Sequence, residues 1–129
     1  MTMGKEWKRA AVLGGGSFGT SLAELVARRG QSVTLWVRRE EQAAAINTTR
    51  RNPSYLSDFE LHPSLDATSD LTRAVEDVDW VIVAVPSQAI RTVLSACAEV
   101  IAGKPIVLAA KGIERGTLMT MEEVAIDVL

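Results

Sequence analysis

Short apolar runs alternate with amphipathic stretches along this chain. Residues 10–13 (AAVL) read as a buried strand. Leu22, Leu25 and Val26 then recur at helical spacing, with Gly30 as the stop. Residues 32–37 (SVTLWV) are rich in β-branched residues and predict a second strand, and residues 40–46 predict a helix. Residues 47–66 are polar and proline-containing, so they read as loop with room for one short strand. Residues 71–78 predict a short helix, and 80–85 (WVIVAV) a strand apolar throughout, as when both faces are covered. Ser87 is placed to cap a helix running to about residue 101. Residues 105–110 (PIVLAA) predict another buried strand. Thr117 is placed to cap a last helix, whose apolar residues Leu118, Met121, Val124, Val128 and Leu129 call for a partner.

Strands alternating with helices predict βαβ units around a parallel sheet, an α/β, Rossmann-like, doubly wound fold. The 129 residues contain no repeat, low-complexity tract or linker, so residues 1–129 read as one domain. The apolar last segment suggests that this domain is the first part of a longer protein.

The densest chemical signal lies between the first strand and first helix. Gly14, Gly16 and Gly19 fit G-x-G-x-x-G in the strand–turn–helix setting that gives the pattern meaning. Gly14 permits the tight turn, Gly16 admits a pyrophosphate to the backbone, and Gly19 lets the helix approach the strand. The N–H groups near Ser17 and Phe18 add a helix N-terminus for the anion. An NAD site usually carries an acid about 20 residues further on, at the end of the second strand. Here that strand ends LWVRRE, with Arg38 and Arg39 in its place. Arginine suits the additional 2′-phosphate of NADP, so NADP(H) is the expected preference, with NAD(H) the other option. Glu40 and Glu41 fit the start of the following helix, facing its dipole.

Ligands of open parallel sheets bind beyond the carboxyl ends of the strands. Pro86, in VAVPSQ, could wall the cofactor there. Lys111, in LAAKGIE, could hold a phosphate or polarise a carbonyl. The other conspicuous residues read as structural. His62, the single histidine, has no metal-spaced partners, and no metal site is expected. Asp77 and Asp79 read as capping or solvated groups, and Arg50 and Arg51 as a solvated pair with a phosphate contact as the alternative. Trp36 and Trp80 read as packing residues, and the single cysteine, Cys97, as a small core residue.

The net charge of −2 offers no global field for nucleic acid or an anionic membrane surface. No run approaches the roughly 20 apolar residues of a membrane span. Residues 1–16 lack a signal-peptide core, and Thr2 excludes a myristoylation signal. A cytoplasmic protein is expected.

Several blocks together, GGGSFGTSLA, LWVRR, INTTRRNPSYL, AVPSQ and KGIERGT, resemble the bacterial type of NAD(P)-dependent sn-glycerol-3-phosphate dehydrogenase, in the same order and at similar spacing. The specific part is Asn47, Arg50, Asn52, Tyr55 and Leu56, followed by Val85, Pro86 and Ser87, then Lys111 and Gly112. The resemblance implies reduction of dihydroxyacetone phosphate to sn-glycerol 3-phosphate, the backbone precursor of phospholipids. It implies that Ser17 and Phe18 touch the cofactor phosphates, that Arg38 and Arg39 lie near the adenosine end, and that Tyr55 lines the site. It further implies that Lys111 contacts both cofactor and substrate. The family often has tryptophan or tyrosine in place of Phe18 and proline in place of Ser57. Its members are more than twice as long, with the catalytic lysine in a second, helical domain. No catalytic residue is therefore expected in this chain, which alone should bind cofactor without turnover. A homodimer is one assembly left open. Two other readings share the glycine turn: a two-domain hydroxy-acid or sugar-acid dehydrogenase, and a non-enzymatic nucleotide sensor.

Overall fold

The computed structural model describes residues 7–55 and 57–129. The readings made of residues 1–6, and of Leu56 in the motif block, lie outside these described residues. Five strands, β1 (Arg9–Leu13), β2 (Ser32–Trp36), β3 (Leu65–Thr68), β4 (Trp80–Val83) and β5 (Ile106–Leu108), form one sheet in the order β3-β2-β1-β4-β5. Every pairing is parallel. The helices are α1 (Ser17–Arg28), α2 (Glu40–Thr49), α3 (Leu71–Glu76), α4 (Ile90–Ile101) and α5 (Met121–Val128).

Side chains alternate across a strand, and the two faces of this sheet build two cores. Ala11, Leu13, Val81 and Val83 meet α3, α4 and α5 through residues such as Val75, Leu94 and Val124. Val12, Val33, Leu35 and Ile82 meet α1 and α2 through Ala23, Ala27 and Ile46. The central strands are apolar throughout because both faces are covered. This is the doubly wound arrangement expected from the alternating pattern.

Several elements depart from the sequence reading. In α1, Leu22 and Val26 pack half-buried against the second core as their spacing predicts, but the most buried positions toward the sheet are Gly19, Thr20, Ala23 and Ala27, and Leu25 is 55% exposed. Small residues win there because the helix must lie close to β1. Helix α2 runs on to Thr49, and Arg50 ends it in the left-handed region at φ 60°. Ser87 makes no side-chain cap; Ser87–Ala89 is a single 3-10 turn before α4. Thr117 does not cap the last helix either. Thr120 does, in a reciprocal capping box with Glu123, while Thr117 donates to the Glu114 carboxylate. Strand β5 is not buried: it is the last strand on its side of the sheet, and Val107 is 48% exposed. Of the last apolar residues, Met121 and Val124 pack into the core, whereas Leu118 and Leu129 stay exposed.

Candidate functional site

From β1 the chain winds through β2 and β3 on one side, then crosses to β4 and β5 on the other. The connections leaving β1 and β4 therefore diverge, and a crevice opens at the carboxyl ends of these adjacent strands. The residues singled out from sequence gather around that edge.

The glycine turn is shaped by close approach. Gly14 has φ +128° and donates its N–H to the Trp36 carbonyl at 3.0 Å; a Cβ there would stand 2.7 Å from the Ala84 carbonyl oxygen. A Cβ on Gly19 would stand 1.9 Å from the Gly14 carbonyl oxygen, so α1 lies directly on the turn. Gly15, which the motif leaves unspecified, is equally tight, with a Cβ position 2.3 Å from Val37 Cγ1. Gly16 is the exception. A Cβ there would meet nothing within 4 Å, so its outer side faces open space.

The first turns of the helices differ in the same sense. Glu40 and Glu41 face the dipole of α2, Asp70 accepts from Arg73 N at 3.1 Å to cap α3, and Thr120 caps α5. Helix α1 has neither a side-chain cap nor an acid in its first turn, and among the described residues nothing accepts from the N–H groups of Ser17 and Phe18. Helix α4, which follows β4, likewise lacks a cap and an early acid. Of these two, α1 keeps its positive end available, whereas the 3-10 turn ahead of α4 takes up the Ala89 and Ile90 N–H groups, which donate to the carbonyls of Pro86 and Ser87. A pyrophosphate fits this chemistry: unpartnered N–H donors, open space over Gly16, and no nearby acid of the helix itself.

Arg38 and Arg39 follow the end of β2 on the same edge. Both are exposed, and neither forms an ion pair among the described residues. Phe18 and Tyr55 are 59% and 45% exposed, large apolar surfaces left toward solvent. Tyr55 rides on the loop after α2, which Asn52 ties to the glycine turn by donating to the Gly15 carbonyl at 2.9 Å.

The loops after β4 and β5 are clasped together. Gln88 donates to the Ile113 carbonyl at 3.1 Å and accepts from Arg115 N at 3.0 Å. Arg91 pairs with Glu114 at 2.9 Å and with Asp127 at 2.6 Å. The Arg91 hydrogen bonds, then that from Thr117, hold the Glu114 carboxyl below its ordinary range, and Glu114 and Asp127 raise the Arg91 guanidinium in turn. Gly112, at φ +133°, passes Ser87, with a Cβ position 3.4 Å from Ser87 Oγ. Lys111 and Pro86 sit at the mouths of these loops, both exposed.

The remaining candidates are structural. The Arg50 guanidinium is only partly solvated: it donates to the carbonyls of His62 and Leu65 at the start of β3, away from the crevice, and pairs with Asp66 at 3.8 Å. Arg51 does remain exposed, donating to the Ser57 carbonyl at 3.2 Å. His62 Nδ1 accepts from Ser64 N at 3.1 Å, and Asp79 accepts from the N–H groups of Lys8 and Arg9. Trp36 donates to the Ser69 carbonyl, and Trp80 donates to Gln31 while stacking on Trp7. Cys97 is buried, and desolvation raises its thiol. Among the described residues, no group of three metal-ligating side chains occurs and no helix is long and apolar enough to cross a membrane.

Sequence reasoning missed the polar support of the turn. Thr20, Gln42 and Asn52 are all buried, and they hydrogen-bond to one another beneath Gly15. The available signal is Asn52 in the motif block, where it stands only as part of a pattern.

Comparison with known proteins agrees with this geometry. The family model described as NAD-dependent glycerol-3-phosphate dehydrogenase N-terminus matches residues 9–129. The glycerol-3-phosphate dehydrogenase [NAD(P)+] of Pseudomonas fluorescens is 46% identical over 118 residues, covering 92% of this chain and 35% of that protein. The enzyme of the same name from Rhodospirillum rubrum is 46% identical over 120 residues, covering 92% of this chain and 34% of that protein. The crystal structure of glycerol-3-phosphate dehydrogenase from Coxiella burnetii superposes with a TM-score of 0.87 at 31% identity, covering 95% of this chain and 38% of that one. The chain thus spans about a third of the length of these curated relatives, and it belongs to the family of NAD-dependent glycerol-3-phosphate dehydrogenase N-terminal domains.

Proposed function

We propose that residues 1–129 are the cofactor-binding domain of a cytoplasmic dehydrogenase that reduces dihydroxyacetone phosphate to sn-glycerol 3-phosphate with NAD(P)H. The product serves glycerophospholipid synthesis. The observation that carries this reading is the bare, outward-facing Gly16 at the uncapped start of α1, beside the crevice of a doubly wound sheet. The family match favours it over a hydroxy-acid or sugar-acid dehydrogenase and over a free-standing nucleotide sensor.

In this reading Gly14, Gly16 and Gly19 shape the turn, and the N–H groups of Ser17 and Phe18 donate to the pyrophosphate. Phe18, Tyr55 and Pro86 line the cofactor with apolar surface. Arg38 and Arg39 take the 2′-phosphate of NADP(H), which makes it the preferred form, with NAD(H) still accepted. Lys111 presents an ammonium over the crevice, where it meets both the cofactor and the phosphate-bearing substrate. The bound nicotinamide supplies the hydride for the ketone carbon. This chain's contribution is orientation and charge. The catalytic lysine belongs to a further helical domain, so the chain by itself binds without turnover. Self-association as a homodimer would use exposed apolar residues such as Ile126 and Leu129, and sedimentation of the chain tests it.

The test of the cofactor reading is isothermal titration of the chain with NADPH and NADH, repeated on Arg38→Ala and Arg39→Ala. Tighter NADPH binding that falls in the variants supports the reading. Equal affinities that neither variant changes would refute the assignment of the arginines, and absence of binding would refute the site.

A further inference from the structure

Beneath the glycine turn lies a polar network with no part in the cofactor contacts described above. Asn52 is fully buried, and its amide makes four hydrogen bonds. Its Nδ2 donates to the Gly15 carbonyl and to Thr20 Oγ1, each at 2.9 Å. Its Oδ1 accepts from Gln42 Nε2 and from Ser54 N, each at 3.1 Å. Gln42 Nε2 also reaches the Gly15 carbonyl, at 3.2 Å. One amide therefore joins the glycine turn, α1, the first turn of α2 and the Tyr55 loop, with its hydrogen-bonding capacity filled.

The Gly15 carbonyl is thus held from the inside by two donors. A trans peptide is planar, so its C=O and N–H point in opposite directions. Fixing the Gly15 oxygen inward aims the next N–H, that of Gly16, outward into the space that stays open there. Glycine gives this turn no side-chain restraint of its own, so the aim must be set by neighbours.

We propose that Asn52, seconded by Gln42, is a positioning residue that orients the Gly16 N–H toward the pyrophosphate of a bound dinucleotide. This inference rests on the cofactor reading above and deepens it. Because Gln42 lies in the first turn of α2, whose N-cap is Arg39, the same network fixes the spacing between the pyrophosphate donor and the arginines of the adenosine end.

The test is Asn52→Asp, which keeps the shape but sets a carboxylate oxygen against the Gly15 carbonyl. Two ligands are titrated: NADPH, and adenosine 2′-monophosphate, which carries the adenosine end without a pyrophosphate. Melting temperature is read alongside. The expected result is a tenfold or greater loss for NADPH, with adenosine 2′-monophosphate changed by less than twofold. Gln42→Met supplies the same test should Asn52→Asp not fold, with a loss of a few fold in the same direction. Thr20→Val, which leaves both donors on the Gly15 carbonyl, should lower the melting temperature and leave the ratio of the two affinities unchanged. The proposal is overturned if both ligands weaken equally in Asn52→Asp, or if a folded variant binds NADPH as the parent does. A parent chain that binds neither ligand overturns the cofactor reading, and this proposal with it.

Discussion

Gly16→Ala and Gly19→Ala separate what the turn does for folding from what it does for binding. Both add a single methyl group. At Gly19 the new Cβ falls 1.9 Å from the Gly14 carbonyl oxygen and 3.0 Å from its carbon. Those are backbone atoms, so α1 must move off β1, and overpacking of this kind costs about 1–3 kcal/mol. Alanine's higher helix propensity returns at most about 1 kcal/mol. At Gly16 the backbone, at φ −75° and ψ −175°, already suits any residue, and the Cβ meets nothing within 4 Å. The folded state there is unstrained, and the roughly 0.4–1 kcal/mol gained by losing a glycine from the unfolded chain is offset by alanine being a poorer N-cap than glycine, so stability changes little. The methyl group does occupy the approach of a pyrophosphate to the turn. Hydrogen bonds to a charged group contribute about 1.5–3 kcal/mol each, so loss of even one weakens NADPH binding by roughly 10- to 150-fold. Urea denaturation and NADPH titration of the two variants check both halves. The reasoning is refuted if Gly16→Ala binds NADPH like the parent, or if it unfolds as easily as Gly19→Ala.

Further outcomes follow from the same structure. Arg38→Ala should lower NADPH affinity while leaving NADH within about twofold, because only the 2′-phosphate loses a charge-assisted contact worth roughly 1.5–3 kcal/mol; competitive titration of the two nucleotides measures it. Leu94→Ala, at a fully buried position facing β1 and β4, should destabilise by about 2–5 kcal/mol in urea unfolding without changing the m-value. The Glu114 carboxyl is held low by Arg91 and then Thr117, so its folded pKa lies under the unfolded value of about 4.3. Its stabilising share is complete above that value and is lost as pH falls through the folded pKa. Thermal melts should show a steeper drop below about pH 4 in the parent than in Glu114→Gln, with no such difference in slope above about pH 5.

The sheet, its parallel sense and its two covered faces were legible because 80–85 and 10–13 are apolar without alternation. What that pattern could not tell was position within the sheet: 105–110 carries the same apolar signal, yet β5 ends its side of the sheet. The hydrophobic stripe of α1 holds for Leu22 and Val26, which pack against the core, and fails only at Leu25. A helix pressed against a glycine turn buries small residues, so Leu25 faces outward although it is the larger apolar group. The cap of α5 was readable in Thr120 and Glu123, whose spacing is that of a capping box, whereas Thr117 offers only a hydroxyl. Gly14 and Gly19 of the motif stand where a positive φ and a close backbone approach exclude a side chain. The support beneath them is not legible, because Gln42 and Asn52 lie in polar stretches, and nothing in one sequence marks a polar residue as buried. Arg50 is the converse case, an arginine taken for solvated whose guanidinium is spent on main-chain carbonyls.

In the proposed complex a dinucleotide lies across the glycine turn and the end of β2. The most direct test is a heteronuclear NMR titration of the isotopically labelled chain with NADPH. The largest amide shifts should fall at Gly14–Gly19, Arg38 and Arg39, with smaller ones around Pro86 and Lys111. Shifts confined to another face, such as the cavity lined by Arg28, Arg50 and His62, would contradict it, as would a spectrum that NADPH leaves unchanged.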